Sequence, residues 1–251
     1  MIDLAPAMKR SLPDEATEKL CHAIITGKLQ QGQRIDEAQI AGMLQVSRGP
    51  VREALAGLVE RGLVVKIPNR GSFVITFDKA DIDEVCTLRE VLEQFAVQRI
   101  VQRPHTISLN EMAELVEEMI PASRTEHAEL LISELDLRFH AALVAAANHR
   151  WLFDTWDNLR PHIQMLLYSR NILNDDFREL AVKGHQDILA SLRERDGVRV
   201  QQLLKEHLKL SHDRISAAYR ILQDPEEVEL SGYGNTETHS LADRKPPFLY
   251  E

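Results

Sequence analysis

The fold of this chain is decided by the stretch Val46-Ser47-Arg48-Gly49-Pro50-Val51-Arg52-Glu53-Ala54-Leu55. Ser47 is a residue type that favours the N-cap of a helix, where its hydroxyl accepts from free backbone amides of the first turn. Pro50 is tolerated in that turn, because its missing N–H breaks no hydrogen bond there. Apolar residues then recur at helical spacing, at Val51, Ala54, Leu55, Leu58 and Val59. The stretch therefore predicts a helix that begins after Ser47 and buries one face.

Two arginines lie near the start of this predicted helix. Arg48 and Arg52 are four residues apart, so they project from one face. Guanidinium groups held in this way can bind guanine edges or phosphates in the major groove of DNA. Two arginines on a helix, taken alone, are more often part of a solvated face. The interpretation as a DNA-recognition helix therefore depends on the flanking sequence.

The flanking segments supply the other parts of a winged helix-turn-helix. Asp36-Glu37-Ala38-Gln39 resembles a capping box and starts a supporting helix. The apolar side of that helix comprises Ile40, Ala41 and Leu44. Gly62 ends the recognition helix, and two short strands are predicted over 63–66 and 72–75. Pro68-Asn69-Arg70-Gly71 between them is a hairpin tip that carries a cation, which is typical of a wing. Elements of these types in this order predict a DNA-binding domain.

This pattern resembles the N-terminal signature of the GntR family of bacterial transcription regulators, over about residues 13–76. The resemblance is carried by Val46 to Leu55, Gly62-Leu63-Val64 and Arg70-Gly71-Ser72-Phe73-Val74. It implies a homodimer that reads a short palindromic operator in double-stranded DNA. The DNA-contacting positions are the recognition arginines, a phosphate-contacting hydroxyl and the wing, namely Ser47, Arg48, Arg52, Arg70 and Gly71. Some family members have another arginine in the first turn of the supporting helix, where this chain has Ala38.

The length and composition of the chain set further limits. Its 251 residues are enough for two modest domains, each with its own core. Cys21 and Cys86 provide no disulfide framework, and each lies among apolar residues as a candidate core filler. No apolar run approaches membrane-spanning length, and residues 1–11 lack the apolar core of a signal peptide. We therefore expect a cytoplasmic protein without a membrane partner.

The formal net charge of −9 argues against a nucleic-acid partner until it is divided along the chain. Residues 1–78 contain 10 Lys and Arg against 9 Asp and Glu, whereas the remaining residues contain 20 against 30. The acidic excess therefore lies outside the predicted DNA-binding domain. An acidic second part would repel DNA and keep it at the cationic end of the molecule.

From Ala80 onward the pattern is helical, without a convincing strand or a glycine-rich phosphate loop. Helices are predicted over about 80–103, 108–120, 126–147, 149–173, 175–195 and 197–222, with a kink or break at Pro161. They predict an antiparallel all-α bundle of six or seven helices in a mainly α protein. The expected division is a flexible arm (1–12), a winged helix-turn-helix (13–77), a helical effector-binding and dimerisation domain (78–223) and a mobile tail (224–251).

Three histidines and one aspartate occupy core-facing positions on three of these predicted helices. Asp136 and His140 are four residues apart on an apolar face, and His185 and His207 lie in line with apolar residues of two other helices. A lone core histidine is usually just hydrogen-bonded. Burial of four such polar groups is costly, however, unless they converge on a common partner. A divalent ion removes that cost, and nitrogen-rich ligation suits zinc, nickel, iron or manganese.

The spacing of these four residues resembles the FCD effector domain of the FadR-type GntR branch. Asp136-x-x-x-His140, Gly184-His185-Gln186-Asp187-Ile188 and His207 fill all four positions of its metal-binding subgroup. The resemblance implies a divalent ion, with zinc as the first choice, whose open positions bind water or the carboxylate of a small organic acid. It also matches Asn148 to a position that lines the ligand pocket.

Two arginines are candidates for binding the carboxylate of that acid. Arg89 matches an arginine that faces bound carboxylates in such domains. Its alternative role is an exposed ion-pair partner of Glu93, four residues later, and both interpretations stay open. Arg160 borders the stripe from Trp156 to Ile163 and is a second candidate. The scarcity of aromatic residues fits a dicarboxylate, hydroxy acid or sugar acid better than a large ring system or acyl chain.

Two functions of different classes follow from these features. The first is a ligand-responsive homodimeric transcription regulator, most often a repressor of a catabolic operon. The alternative is a metalloenzyme, because three His and one Asp also form the ligand set of iron and manganese superoxide dismutases. The ligand order in this chain differs from that of the dismutases, and no nearby Glu or His presents itself as a general base. We therefore expect a regulator and not an enzyme.

Overall fold

The computed structural model describes residues 11–102, 108–173 and 176–223. Residues 1–10 of the expected arm, and the whole expected tail from residue 224, lie outside the described residues. Ser11 and Leu12, which were assigned to the arm, instead belong to the first helix: Ser11 caps it, and Leu12 is its first residue. The chain forms two compact units that divide between Thr76 and Phe77.

The first unit, in its described part, combines three helices with a small antiparallel sheet. The elements in chain order are α1 (Leu12–Ile25), β1 (Arg34–Ile35), α2 (Glu37–Leu44), α3 (Arg48–Glu60), β2 (Val64–Ile67) and β3 (Gly71–Val74). β3 is the central strand and pairs antiparallel with both β1 and β2. β1 was not predicted, because a strand of two residues is too short to show alternation.

The core of the first unit forms where α1 packs against α3. α3 buries four of the five residues that the sequence assigned to its inner face, Val51, Ala54, Leu55 and Leu58. The fifth assignment was wrong, since Val59 is 37% exposed. It lies one residue beyond Leu58, at the edge of the buried stripe. α2 begins as expected, with the Asp36 carboxylate accepting from the backbone amides of Ala38 and Gln39.

The second unit, in its described part, consists of six helices. They are α4 (Lys79–Gln102), α5 (Asn110–Ala122), α6 (Glu129–Ala146), α7 (Arg150–Leu173), α8 (Phe177–Glu194) and α9 (Gly197–Gln223). α6 packs against α7, and α9 packs against α4, α7 and α8. The prediction of a winged helix-turn-helix followed by a mainly helical bundle is confirmed. None of the helices in the described ranges is long and apolar enough to cross a membrane.

Three local expectations about the chain are corrected. α7 runs through Pro161 without a break, where a kink or break was expected, and α5 extends to Ala122, so that it includes Pro121 although it was expected to end at about residue 120. Packing of the flanking residues, such as Trp156 and Ile163 on α7, offsets the loss of one backbone hydrogen bond. Cys21 and Cys86 are only partly buried, so they are not core residues in the full sense.

Candidate metal centre and recognition helix

The recognition helix α3 presents its two arginines to solvent near its first turn. Arg48 and Arg52 are both exposed, as expected for residues that contact DNA. Arg52 Nε donates to Glu37 Oε2 on the supporting helix α2 at 2.6 Å, while 64% of the Arg52 side chain stays exposed. The sequence analysis did not assign a role to Glu37. The ion pair fixes the direction in which the Arg52 guanidinium leaves α3.

Ser47 occupies the N-cap position of α3, but its hydroxyl makes no capping hydrogen bond, contrary to expectation. The reason lies in the sequence that follows. The third residue of the helix is Pro50, which has no N–H for an N-cap side chain to accept from. The hydroxyl of Ser47 is therefore left for another partner.

The hairpin between β2 and β3 forms the expected wing. Gly71 has φ +105°, and a Cβ at this position would lie 3.4 Å from Arg34 Nε on β1. Asn69 is also left-handed, with φ +61°. The exposed Arg70 guanidinium lies over the Phe73 ring, 5.9 Å from its centroid. Gly71 therefore allows a tight tip whose cation is held against the sheet.

The four predicted metal ligands come together inside the second unit. Asp136 and His140 lie on α6, His185 on α8 and His207 on α9, and one ligand atom from each lies within 4.8 Å of all the others. His140 Nε2 is 3.2 Å from the Nε2 atoms of both His185 and His207. Asp136 Oδ1 lies 3.7 Å from His185 Nε2. Asp136, His140 and His185 are buried, and His207 is half-buried.

The outer nitrogen of two of these imidazoles faces an oxygen acceptor. His140 Nδ1 lies 2.6 Å from Glu93 Oε2, and His185 Nδ1 lies 2.5 Å from the backbone carbonyl of Ala181. These acceptors require a proton on Nδ1 of both rings, so that a neutral ring at either position carries its lone pair on Nε2. Burial lowers the pKa of His185 to about 4, outweighing the nearby Asp136, and burial holds the pKa of His207 well below its usual range. His185 and His207 are therefore neutral at pH 7.

Glu93 is a fully buried carboxylate that the sequence analysis missed as a site residue. Its Oε1 accepts from Arg89 Nε at 2.7 Å and from Trp156 Nε1 at 2.9 Å. Burial alone would raise the pKa of Glu93, but the charges and hydrogen bonds of Arg89 and His140 lower it to about 2. The sequence does contain an indication that Glu93 is buried, because Glu93 lies on the apolar stripe of α4 with Ala96, Val97 and Ile100.

Arg89 combines parts of the two interpretations that the sequence left open. It is the i+4 partner of Glu93, but it is buried and not exposed. Its Nη2 lies 3.6 Å from Asp136 Oδ2, and within the described ranges these two buried atoms have no hydrogen-bond partner. Burial would raise the pKa of Asp136, but the surrounding histidines and Arg89 hold it well below its usual range. A charged carboxylate with an unsatisfied buried oxygen fits a site for a cation.

The other two residues predicted to bind the ligand are not brought to this buried group. Asn148 is exposed and left-handed, with φ +47°. It would share the His140 face only if α6 continued, but α6 ends at Ala146. Arg160 is exposed and its Nε lies 3.1 Å from Asp157 Oδ1. Both expectations, Asn148 from the family resemblance and Arg160 from its place beside the stripe from Trp156 to Ile163, place at the site a residue that is exposed in the structure.

A cavity of about 30 Å³ lies beside the candidate metal group, which comprises Asp136, His140, His185 and His207. It is lined by an arginine that was not predicted from the sequence. Its lining includes Asp136, His207, Arg170, Ser211 and Arg214. The buried Arg170 donates from Nη1 to Ser211 Oγ at 2.8 Å, and its Nη2 lies 4.0 Å from Asp136 Oδ1. The arginine that borders the group on α7 is therefore Arg170 and not Arg160.

Comparison with known proteins agrees with both units. Residues 12–74 match the gntR family of bacterial regulatory proteins, and residues 84–210 match the FCD domain. The chain is 30% identical over 194 residues to the uncharacterized HTH-type transcriptional regulator YdhC of Bacillus subtilis (strain 168), covering 76% of this chain and 84% of that protein. It is 26% identical over 196 residues to the gluconate operon transcriptional repressor of the same organism, covering 76% and 80% respectively.

A solved structure extends the comparison to three dimensions. A GntR transcriptional regulator from Rhodococcus sp. RHA1 matches with a TM-score of 0.72 and 27% identity, covering 84% of this chain and all of that chain. The relatives are transcription regulators and not enzymes, so the dismutase-like alternative has no support from them. The chain therefore belongs to the GntR family of bacterial regulatory proteins, as a DNA-binding transcription regulator with an FCD domain.

Proposed function

We propose that this transcription regulator is a homodimeric repressor whose operator binding is controlled by a small organic acid at a divalent metal ion in the FCD domain. The observation that carries the proposal is the distance of 3.2 Å between the Nε2 atoms of His140 and His185. His185 is neutral with its proton on Nδ1, so its Nε2 lone pair faces Nε2 of His140, whose Nδ1 is engaged by Glu93. A divalent ion placed between the two Nε2 atoms would be bound by the lone pairs of both rings in their neutral form.

The donor set suits zinc first, and nickel, manganese or iron after it. Asp136, His140, His185 and His207 would hold the ion, with three nitrogens and one carboxylate oxygen. When bound, the ion supplies a Lewis acid to which the carboxylate of an effector can bind. The protein supplies the outer contacts, since Glu93 and the Ala181 carbonyl hold two of the rings in the orientation that ligation requires.

The cavity beside the group carries cationic side chains that suit an acidic effector, and its volume of about 30 Å³ means that it must widen to admit one. Arg170 lies at its inner side next to Asp136, and Arg214, which contacts Asp176, lines it as well. Two guanidinium groups next to a metal suit a second carboxylate or the hydroxyls of the same small molecule. A dicarboxylate, hydroxy acid or sugar acid has these groups. The name of the gluconate operon repressor associates that relative with a sugar acid and with repression.

The homodimer is proposed because one helix-turn-helix contacts only one half-site of a palindrome. α4 carries an exposed apolar stripe that a second copy of the chain would cover, formed by Leu88, Val91 and Phe95. The effector can release the operator only to the extent that it binds the DNA-free dimer more tightly. Each tenfold loss of operator affinity requires about 1.4 kcal/mol of such differential binding.

A titration of the protein–DNA complex tests this function. A labelled DNA fragment, selected by the wild-type protein from a random pool, is titrated with malate, citrate and gluconate, and fluorescence anisotropy follows its release. We expect at least one of these acids to release DNA from the wild type, and the corresponding amides to have no effect. In His185→Ala the same acid should require at least about tenfold higher concentration. Release from both proteins at equal concentrations would contradict a metal-dependent sensor.

A further inference from the structure

Glu93 lies next to the metal group without being one of its ligands. The carboxylate is 0% exposed and joins three helices. It accepts from Arg89 on its own helix α4, contacts His140 Nδ1 on α6 at 2.6 Å, and accepts from Trp156 Nε1 on α7 at 2.9 Å. A buried carboxylate with three polar contacts influences the orientation and the proton positions of the groups that it touches.

The two carboxylate oxygens of Glu93 contact different groups. Oε1 is occupied by the cationic Arg89 guanidinium and by the Trp156 indole, so the carboxylate is charged and acts only as an acceptor. Oε2 can therefore interact with His140 only if Nδ1 of that ring carries the proton. A metal binds only the neutral imidazole, in which one nitrogen is protonated, and in that form the lone pair of His140 lies on Nε2. That atom is the one directed at His185 and His207.

A neutral imidazole without a fixed hydrogen-bond partner carries its proton on Nε2 for part of the time. In that tautomer Nε2 cannot bind a metal. The Ala181 carbonyl fixes His185 in the ligating tautomer through the backbone of α8. His140 has no such backbone acceptor among its described contacts, and the side chain of Glu93 takes that place. Arg89 and Trp156 in turn prevent the carboxylate from turning away.

We propose that Glu93 is the positioning residue of the metal group, which fixes His140 with Nδ1 protonated and Nε2 directed at the ion. The proposal rests on the proposed metal site.

The role of Glu93 predicts that Trp156 is coupled to the ion through Glu93 and His140. The fluorescence of Trp156 should therefore change when Zn²⁺ binds. Trp151, the other tryptophan, is 69% exposed under Arg150 and can be replaced by Phe to isolate the signal.

The experiment compares full-length wild type with Glu93→Gln, in which the charge is lost and the shape is kept. Zn²⁺ affinity is measured by competition with a chelator. The tautomer of His140 in the metal-free protein is read from imidazole ¹⁵N chemical shifts. The matched control is Glu118→Gln, which removes an exposed carboxylate that pairs with Arg138 on the surface. A merely structural role of Glu93 would change the melting temperature but not the tautomer.

In Glu93→Gln we expect the Zn²⁺ affinity to fall by about 10- to 100-fold and the Nε2-protonated form of His140 to appear. Glu118→Gln should match the wild type in both measurements. If Glu93→Gln does not fold, Trp156→Phe decides, with an expected loss of about fivefold because one hydrogen bond to the carboxylate is removed. Wild-type affinity and tautomer in a folded Glu93→Gln, or in Trp156→Phe when the former does not fold, would overturn the proposal.

Zn²⁺ binding by the wild type separates this inference from the proposed function. A wild-type protein that binds no Zn²⁺ overturns the metal site. The role of Glu93 toward His140 would then be reduced to a hydrogen bond in a polar core, and the inference would fall with it. A wild type that binds Zn²⁺ while Glu93→Gln keeps the affinity and the tautomer overturns the inference alone.

Discussion

Arg52 illustrates how a single side chain depends on a neighbour that the sequence pattern does not reveal. The arginine was identified from its position in the first turns of α3. Its ion pair with Glu37 on α2, at 2.6 Å, depends on how the two helices pack. A guanidinium that is already oriented loses less conformational freedom when it binds a base edge. The helix-turn-helix therefore contributes the direction of the arginine as well as its charge.

Arg52→Ala should weaken binding to the operator fragment by about 1–3 kcal/mol, because a bidentate contact to a base is lost. The fold should be unaffected, since Arg52 is exposed on α3. Anisotropy titrations of the selected fragment measure the change. Arg61→Ala, at the exposed C-terminal end of the same helix, is the matched control and should bind like the wild type. A folded Arg52→Ala with wild-type affinity would show that α3 is not the recognition helix.

At the level of helices, the metal group depends on how closely α8 approaches α9. Gly184 precedes His185 on α8, and a Cβ at Gly184 would lie 2.6 Å from His207 Nδ1. This distance is shorter than any ordinary contact, so only glycine allows the His207 ring to remain where it is. The backbone of one helix thus fixes a ligand that is supplied by the other.

Gly184→Ala should displace the His207 ring, lower the stability by about 1–3 kcal/mol and weaken Zn²⁺ binding. Gly57→Ala is the matched control, because a Cβ at Gly57 on α3 meets no atom within 4 Å. That control should be neutral or up to about 1 kcal/mol more stable, as is usual for Ala in place of Gly inside a helix. Urea unfolding and chelator competition measure the two quantities. Equal behaviour of the two variants would contradict the close approach.

The exposed stripe of α4 leads to a prediction about assembly. Val91 is 64% exposed at the centre of the stripe of Leu88, Val91 and Phe95. If a second copy covers this face, Val91→Asp would bury a charge and raise the dimer dissociation constant by at least about tenfold. Val198→Asp, which adds the same charge at another exposed valine, should leave it unchanged. Sedimentation velocity at micromolar concentrations distinguishes the two, and an unchanged dimer in Val91→Asp would exclude the stripe from the interface.

The helices were predictable because their apolar residues repeat with the helical period, and the expected helices of the second unit correspond to α4–α9. The errors occurred where tertiary contacts override local signals. β1 exists only because two residues reach the edge of β3. Pro161 is accommodated inside α7, where the helix is held by buried residues on both sides. Ser47 lacks its capping bond, and Pro50 removes one of the two amides from which an N-cap side chain can accept.

The metal group was predictable for a similar reason. Asp136, His140, His185 and His207 are polar residues on otherwise apolar faces, and a periodic pattern shows this directly. Glu93 and Arg170 are also polar residues that become buried, but Glu93 looks like part of an ordinary charged pair with Arg89 when only the neighbouring residues are considered. Their burial depends on contacts with residues 41 to 63 positions away, such as Ser211 and Trp156. The apolar stripe of α4 indicates that Glu93 is buried, but a single sequence does not reveal which distant residues contact Glu93 and Arg170.

For the whole molecule, the buried histidines make stability depend on pH. The pKa of His185 is lowered from 6.5 to about 4, so the unfolded chain takes up a proton in this range more readily than the folded one. The free energy of unfolding of the metal-free protein should therefore decrease as the pH falls from about 6.5 to about 4. Urea unfolding at a series of pH values measures this. His185→Gln should show a shallower decrease, and identical slopes would contradict burial of a neutral imidazole.

We propose that the FCD domain holds a divalent ion between α6, α8 and α9. The most direct measurement is the metal content of the purified full-length protein by plasma emission, before and after loading with Zn²⁺ and gel filtration, for wild type and His185→Ala. We expect about one ion per chain in the loaded wild type and a large loss in His185→Ala, because one of the four ligands is removed. A folded wild-type protein that purifies without metal and retains none after loading would contradict the claim, and Asp136 and the three histidines would then be a buried polar network only.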